Sequence, residues 1–455
     1  MNIVDYLKRI TEGSMYTEKD FYLKIMIPKI KKIIKEYDLH YNKESIIVDD
    51  DNLANRVFEA AIELIAEVGI YCENTNRVIS FDKSEVIEGL EMPYNDSVFG
   101  EGKDRNRMAT RKPGENTLPW FHVGTGIVSS SEDIAQSVVE GYGSIEDASS
   151  ISIPAFSQIR GIDVPGGSPF EIIASVNSVQ AGRKALKTIG RPGLPILNLN
   201  SSSTSSVGTV ASSYPEFGLR KSDGWLVDFL AEMKINFESL NRLMFVSMIG
   251  GNIGSTALPI LGGYSGGAVG TALVMTAYYI LGKVFFNGSY HLSGPLHFSF
   301  GNSSTRDALW IFNIVGRATS LNMKYPMIGL GYAAFGPCTR EYFYEAAAIA
   351  LSIVNSGYAA IQTVHPAKAV VNDGVTPLEA RFLVDFSKAI VGMSSEESNN
   401  IVLKLLEKYE PKINEASPGR KYYECYDVTK REPTGEYLKM YENIVKEFSQ
   451  MGIVI

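Results

Sequence analysis

Hydrophobic positions in the first part of the chain recur at helical spacing. Along "DNLANRVFEAAIELIAEVG", Val57, Ala60, Ala61, Leu64 and Ile65 fall on one stripe, and Gly69 supplies a stop. The pattern predicts a peripheral helix. A polar stretch, "FGEGKDRNRMATRKPGENTLP", follows and reads as a loop. From about Trp120 the texture changes to short apolar runs alternating with capped helical patterns. "WFHVG", "SISIPAF", "LPILNLN", "SYHLSGPLHFSF", "YPMIGLGYAAF" and "YAAIQTV" read as strands. One intervening helix opens with Ser168, Pro169 and Glu171, a capping box with proline in the first turn, and Gly190 ends it. Thr376 and Glu379 repeat that signature, and further helix starts lie near Ser304–Asp307 and Thr339.

Strand and helix in alternation predict the α/β class. Roughly six to eight such units fit a TIM (β/α)8 barrel better than an open sheet, although pattern alone leaves a doubly wound sheet open. The expected division is an N-terminal helical extension over 1–115, the barrel over 116–400 and a C-terminal helical extension over 401–455. Neither a G-x-G-x-x-G turn after a strand nor a phosphate-binding G-x-x-x-x-G-K-[ST] loop is present.

Charge changes this picture in one place. Nothing charged stands between Arg242 and Lys283. Glycine pairs and Pro259 interrupt that stretch, so an interior strand, a tight loop and a buried helix are expected there rather than a membrane span. Elsewhere 43 Lys and Arg face 51 Asp and Glu, a net charge of −8 with no basic tract, which argues against nucleic acid as a partner. The three cysteines form no C-x-x-C pair and the five histidines have no zinc-ligand spacing, so no metal site is expected. The N-terminus is charged and amphipathic, unlike a signal peptide, and a cytoplasmic location is expected.

Five stretches in order, "GRPG", "GGYSGG", "HLSGPLHFSFGNSSTRDAL", "GPCTREY" and "ECYDVTKREPTGEYLKMYE", resemble landmarks of the archaeal monomethylamine methyltransferases, at matching distances over nearly the whole chain. The resemblance implies a TIM barrel, a homohexamer, and methyl transfer to a corrinoid supplied in trans by a separate protein. No cofactor would be bound by this chain itself. The family carries pyrrolysine, an electrophilic imine, four residues after the "GRPG" turn. Leu197 stands there in this sequence. The resemblance places two family glutamates at Leu226 and Thr256 and a glutamine at Leu330, and it keeps a tyrosine at Tyr332. It therefore implies a divergent, non-pyrrolysine member. A small cation buried without counter-charge costs several kcal/mol. A donor other than methylamine is expected, the alternative being a catalytically inactive homo-oligomeric barrel. A different enzyme on the same scaffold, acting on a neutral carbonyl compound, is a third reading.

The remaining candidates come from residue type and place. Asn198, Asn200 and the serines that follow them either set neutral hydrogen-bonding groups at the mouth of the barrel or form an ordinary surface turn. His291 and His297 are candidate acid–base groups, or else buried histidines satisfied by the backbone. Arg306, in the first turn of a helix, needs a carboxylate partner or an anionic ligand. Cys338 opens a helix, where a thiol pKa can fall.

Overall fold

The alternating pattern folds as a parallel sheet backed by helices. A computed structural model describes residues 3–94, 98–197 and 205–455. Its main sheet has seven strands: β1 (Trp120–Val123), β2 (Ser150–Ile151), β3 (Gly224–Asp228), β4 (Asn252–Ala257), β5 (Tyr290–Ser293), β6 (Met327–Gly329) and β7 (Ala360–Gln362). All neighbours pair in parallel, in the order β3-β4-β5-β6-β7-β1-β2. The helices used below are α1 (Asp51–Val68), α2 (Glu132–Gly143), α3 (Pro169–Thr188), α4 (Phe237–Ile249), α5 (Ala268–Val284), α6 (Arg306–Asn322), α7 (Arg340–Asn355) and α8 (Pro377–Ile390).

Among the described residues the ladder has seven strands and is not closed. Between β2 and β3 the chain at Leu194–Leu197 makes a single bridge, Ile151 to Ile196. Ile151 N–H donates to Pro195 O (2.9 Å), Leu197 N–H to Ile151 O (3.1 Å) and Gly224 N–H to Ile196 O (2.9 Å). Both edges of the seven-stranded sheet thus touch this segment.

Local signals account for the helix ends. Asp50 accepts the Leu53 N–H at 2.9 Å to start α1, and Gly69 leaves it at φ +67°. Ser168 caps α3, and Gly190 follows that helix at φ +74°. Thr376 and Glu379 form a reciprocal capping box on α8. The uncharged stretch becomes the end of α4, then β4, a glycine-rich turn and α5. Helix α5 is apolar all round because it packs against the sheet, α1 and α6 together. Among the described residues no helix is long and apolar enough to cross a membrane.

A small apolar cluster fills the N-terminal half of the space enclosed by the sheet. Phe99, Trp120, Leu197, Tyr290, Ile328 and Ala360 belong to it. The Tyr290 ring lies directly over β3 and β4. A Cβ on Gly254 would sit 2.2 Å from its Cζ, and one on Gly224 2.4 Å from its hydroxyl. That hydroxyl donates to Leu197 O at 3.2 Å. Tyr290 is therefore a plug that only glycine-bearing neighbours admit.

Candidate active site

Successive strand residues point to opposite faces, so parity decides what reaches the interior. On β3, Leu226 and Asp228 share the inward face; on β4, Thr256 does; on β5, Tyr290 and Leu292 do. Beyond β6 come Leu330 and Tyr332, and β7 and its extension supply Gln362 and His365. These side chains line one cavity of about 560 Å³ at the C-terminal ends of the strands, above the Tyr290 plug. Its wall is mainly apolar, with six leucines, Leu226, Leu230, Leu258, Leu292, Leu296 and Leu330, beside Ile127, Val128, Phe229 and Ile260. The parallel pairing carries on past the sheet, joining Ile260–Leu261 to Leu296–His297 and Tyr332 to His365, and so raises the rim.

The polar groups cluster on one side. Asp228 is the one carboxylate among the described lining residues, with 46% of its side chain exposed toward the cavity. The crowding around it raises its pKa, and Arg242, 3.5 Å from Oδ2, pulls it back down. The expectation of a mouth stripped of acids is thus corrected: the carboxylate comes from Asp228, two residues beyond Leu226. Burial, and then the Asp228 charge, push the Tyr332 phenol upward, so its O–H remains a donor. Its ring stacks on His365, 4.7 Å between centroids and 24° between planes. Burial pushes His365 down to about 4, which keeps it neutral near pH 7. Below, His122 sits between Ser150 Oγ (2.8 Å) and Ser152 Oγ (2.9 Å), and Gln362 Nε2 donates to Ser152 Oγ at 3.3 Å. Burial, with a smaller push from His365, drives His122 to about 3. This wall is polar but uncharged.

The loop that carries Tyr332 is anchored from behind by Glu345 on α7. Its carboxylate accepts from Ser304 Oγ (2.5 Å), Ala334 N–H (2.8 Å) and Phe335 N–H (2.9 Å). Ser303 N–H donates to Tyr332 O at 2.8 Å. Burial outweighs those bonds and lifts the Glu345 pKa to about 7.

The structure brings Leu226, Thr256, Leu330 and Tyr332 together on the cavity wall. Leu197 is fully buried in the cluster beneath it. Asn198 and Asn200 lie outside the described residues. His291 is on the outer face of β5, opposite in parity to Leu292. It bonds Ser255 Oγ at 2.7 Å through Nδ1, packs on Tyr279 of α5, and is pushed down to about 3 by burial. His297 accepts from Ser299 N–H (3.1 Å) and Phe300 N–H (3.4 Å), holding a turn at the rim. Arg306 Nε pairs with both oxygens of Glu410, at 3.0 and 2.9 Å, which is the carboxylate-partner reading. Burial raises the Cys338 thiol pKa, against the expected fall at a helix start. Asp228, Gln362 and His365 were not singled out in the sequence. For Asp228 the signal was there, because it is two residues from Leu226 on one strand.

Comparison with known proteins places this geometry. The family described as monomethylamine methyltransferase MtmB matches residues 1–453. Monomethylamine methyltransferase MtmB3 of Methanosarcina barkeri (strain Fusaro) is 29% identical over 453 residues, covering 99% of this chain and 98% of the relative. MtmB1 of Methanosarcina acetivorans is 29% identical with the same coverage. The crystal structure of the Methanosarcina barkeri enzyme superposes with a TM-score of 0.96 at 28% identity, over 100% of this chain and 98% of the other. A crystal structure of a hydroxylamine complex of MtmB superposes equally well, again with a TM-score of 0.96. The chain belongs to the monomethylamine methyltransferase MtmB family.

Proposed function

We propose that this chain is a methyltransferase that moves a methyl group from a small donor other than monomethylamine to a corrinoid held by a separate protein. The carrying observation is the cavity of about 560 Å³ at the strand ends, lined by Leu226, Thr256, Leu330 and Tyr332 together. Those are the four positions where the resemblance puts the family's polar site groups. The scaffold for it is a (β/α)8 barrel with helical extensions at both ends.

What these residues do follows from their chemistry. The leucines exclude water from the donor. Asp228 supplies negative charge, and Tyr332 supplies a hydrogen-bond donor and an aromatic face. Leu197 has no electrophilic atom, so a donor is held by non-covalent contacts and not as an adduct. This is the reason to expect a donor unlike that of the pyrrolysine enzymes. The corrinoid itself supplies the nucleophile that accepts the methyl group. Homohexameric assembly follows from the resemblance, and neither nucleic acid nor membrane is a partner in this reading.

The inactive-barrel alternative predicts a mouth plugged by side chains. Here the plug, Tyr290 with its neighbours, stops below the mouth and leaves space above it. The test is to mix the chain with a reduced corrinoid protein and a panel of methylated amines, sulfides and ethers. Methylation of the corrinoid, read by its absorbance, is expected with at least one cationic donor. An unchanged spectrum across the panel would refute the proposal.

A further inference from the structure

We propose that the cavity is a binding site for a methylated onium ion, a quaternary ammonium or sulfonium cation, with Asp228 as its counter-charge. The inference rests on the reading above for its biological use, but the site itself is argued from the wall of the cavity.

Charge comes first. Among the described lining residues Asp228 is the one acid, and none is Lys or Arg. His365 is held neutral by burial. A cation entering this space therefore meets a carboxylate on the wall and no cation among the described lining residues. Arg242 stands 3.5 Å from one Asp228 oxygen and is not among the lining residues, so the carboxylate stays open on the cavity side.

The second point is how the cation must satisfy its own surface. A primary ammonium carries three N–H donors and needs three acceptors when buried. Ser152 Oγ is occupied by His122 Nε2 and Gln362 Nε2, and the acceptors Gln362 Oε1 and His365 Nδ1, though without partners, are closed off from the cavity surface. Leucines and other apolar side chains make up most of the remainder. An onium ion clothed in methyl groups asks for no hydrogen bonds. It needs charge, apolar contact and an aromatic face, and Asp228, the leucines and the Tyr332 ring provide these. The volume, about 560 Å³, also suits a ligand larger than methylammonium.

The third point is the reaction. In methyl transfer the C–N or C–S bonding pair stays on the heteroatom, which leaves as a neutral amine or sulfide. The methyl carbon takes a new pair from the reduced corrinoid of the partner protein. The heteroatom must carry positive charge at that moment. A protonated amine holds its charge through a proton, and apolar burial favours the neutral form. A quaternary nitrogen or a trivalent sulfur keeps its charge at every pH. Without an electrophile at Leu197 to hold the amine, permanent charge meets the same need.

The experiment is isothermal titration of the full chain, with no corrinoid present, using tetramethylammonium, trimethylsulfonium, methylammonium and the neutral isostere tert-butanol. Saturable binding of at least one onium ion is expected, at least tenfold tighter than methylammonium, with no binding of tert-butanol. The tighter of the two cations identifies the heteroatom. D228N should weaken onium binding at least tenfold with an unchanged circular dichroism spectrum. Y332L, which leaves the Asp228–Arg242 pair in place, should weaken it several-fold and leave methylammonium unaffected. Equal or tighter binding of methylammonium, or onium binding unchanged in both variants, would overturn the inference. Onium binding without corrinoid methylation would remove the methyltransferase reading alone. Methylation from a neutral donor with no onium binding would remove this inference alone.

Discussion

Replacing Glu345 by glutamine gives a sharp test of the electrostatics behind the Tyr332 loop. Glu345 is fully buried, and its pKa is raised from an ordinary 4.5 to about 7, chiefly by burial. The folded state therefore holds this proton more tightly than the unfolded chain. Its stabilising contribution is complete below pH 4.5 and is lost as pH rises through about 7. At 1.36 kcal/mol per pH unit, the shift corresponds to about 3 kcal/mol between those limits. Glutamine cannot titrate. Its amide also cannot accept from both backbone donors, so one of the Ala334 and Phe335 N–H groups loses its partner, at about 1–3 kcal/mol. That offset is to first order independent of pH. The difference in unfolding free energy between E345Q and the parent should thus move by about 3 kcal/mol in favour of the variant from pH 4.5 to pH 8. Urea unfolding followed by tryptophan fluorescence across that range measures it. Two curves that stay parallel within about 0.5 kcal/mol would show that Glu345 does not titrate as its burial requires.

Three further outcomes follow from other parts of the molecule. G254A sets a Cβ 2.2 Å from Tyr290 Cζ and should destabilise the chain by about 1–3 kcal/mol in thermal unfolding, with part of the loss recovered in G254A/Y290L; an unchanged midpoint would mean the Tyr290 plug is loosely held. H291Q should cost about 1–2 kcal/mol of stability through the Ser255 bond yet leave any pH–rate profile between pH 6 and 9 unaltered, because burial pushes the imidazole down to about 3; a displaced profile would return His291 to the chemistry. R306A breaks a half-exposed pair with Glu410 and should change stability by no more than about 1 kcal/mol and donor affinity not at all, as read by titration calorimetry; a large affinity loss would make Arg306 a ligand contact.

Much of this architecture was legible because its signals are local. Asp50, Ser168 and Thr376 cap helices by bonds within a few residues, and Gly69 and Gly190 end them through backbone freedom. Leu226, Thr256, Leu330 and Tyr332 are the positions the family resemblance implies, and they meet because each sits at or just past a strand end. The misreadings have physical causes. His291 and His297 were candidates by residue type, but His291 faces α5 behind β5 and His297 holds a rim turn, so neither lines the cavity. Gln362 and His365 depend on the register between β6 and β7, fixed by the pairs Ile328–Ala360 and Tyr332–His365. No local pattern encodes that register. Asp228 was readable from alternation along "WLVDF", but a count of inherited site positions does not reach it.

The central claim is that a methyl donor sits in the cavity above Tyr290. The most direct measurement is the rate of corrinoid methylation with a cationic donor, in the parent chain and in T256W, which fills the space that Thr256 borders. The account predicts that T256W keeps its fold by circular dichroism and loses at least a hundredfold in rate. A filled cavity that transfers methyl groups as fast as the open one would contradict it.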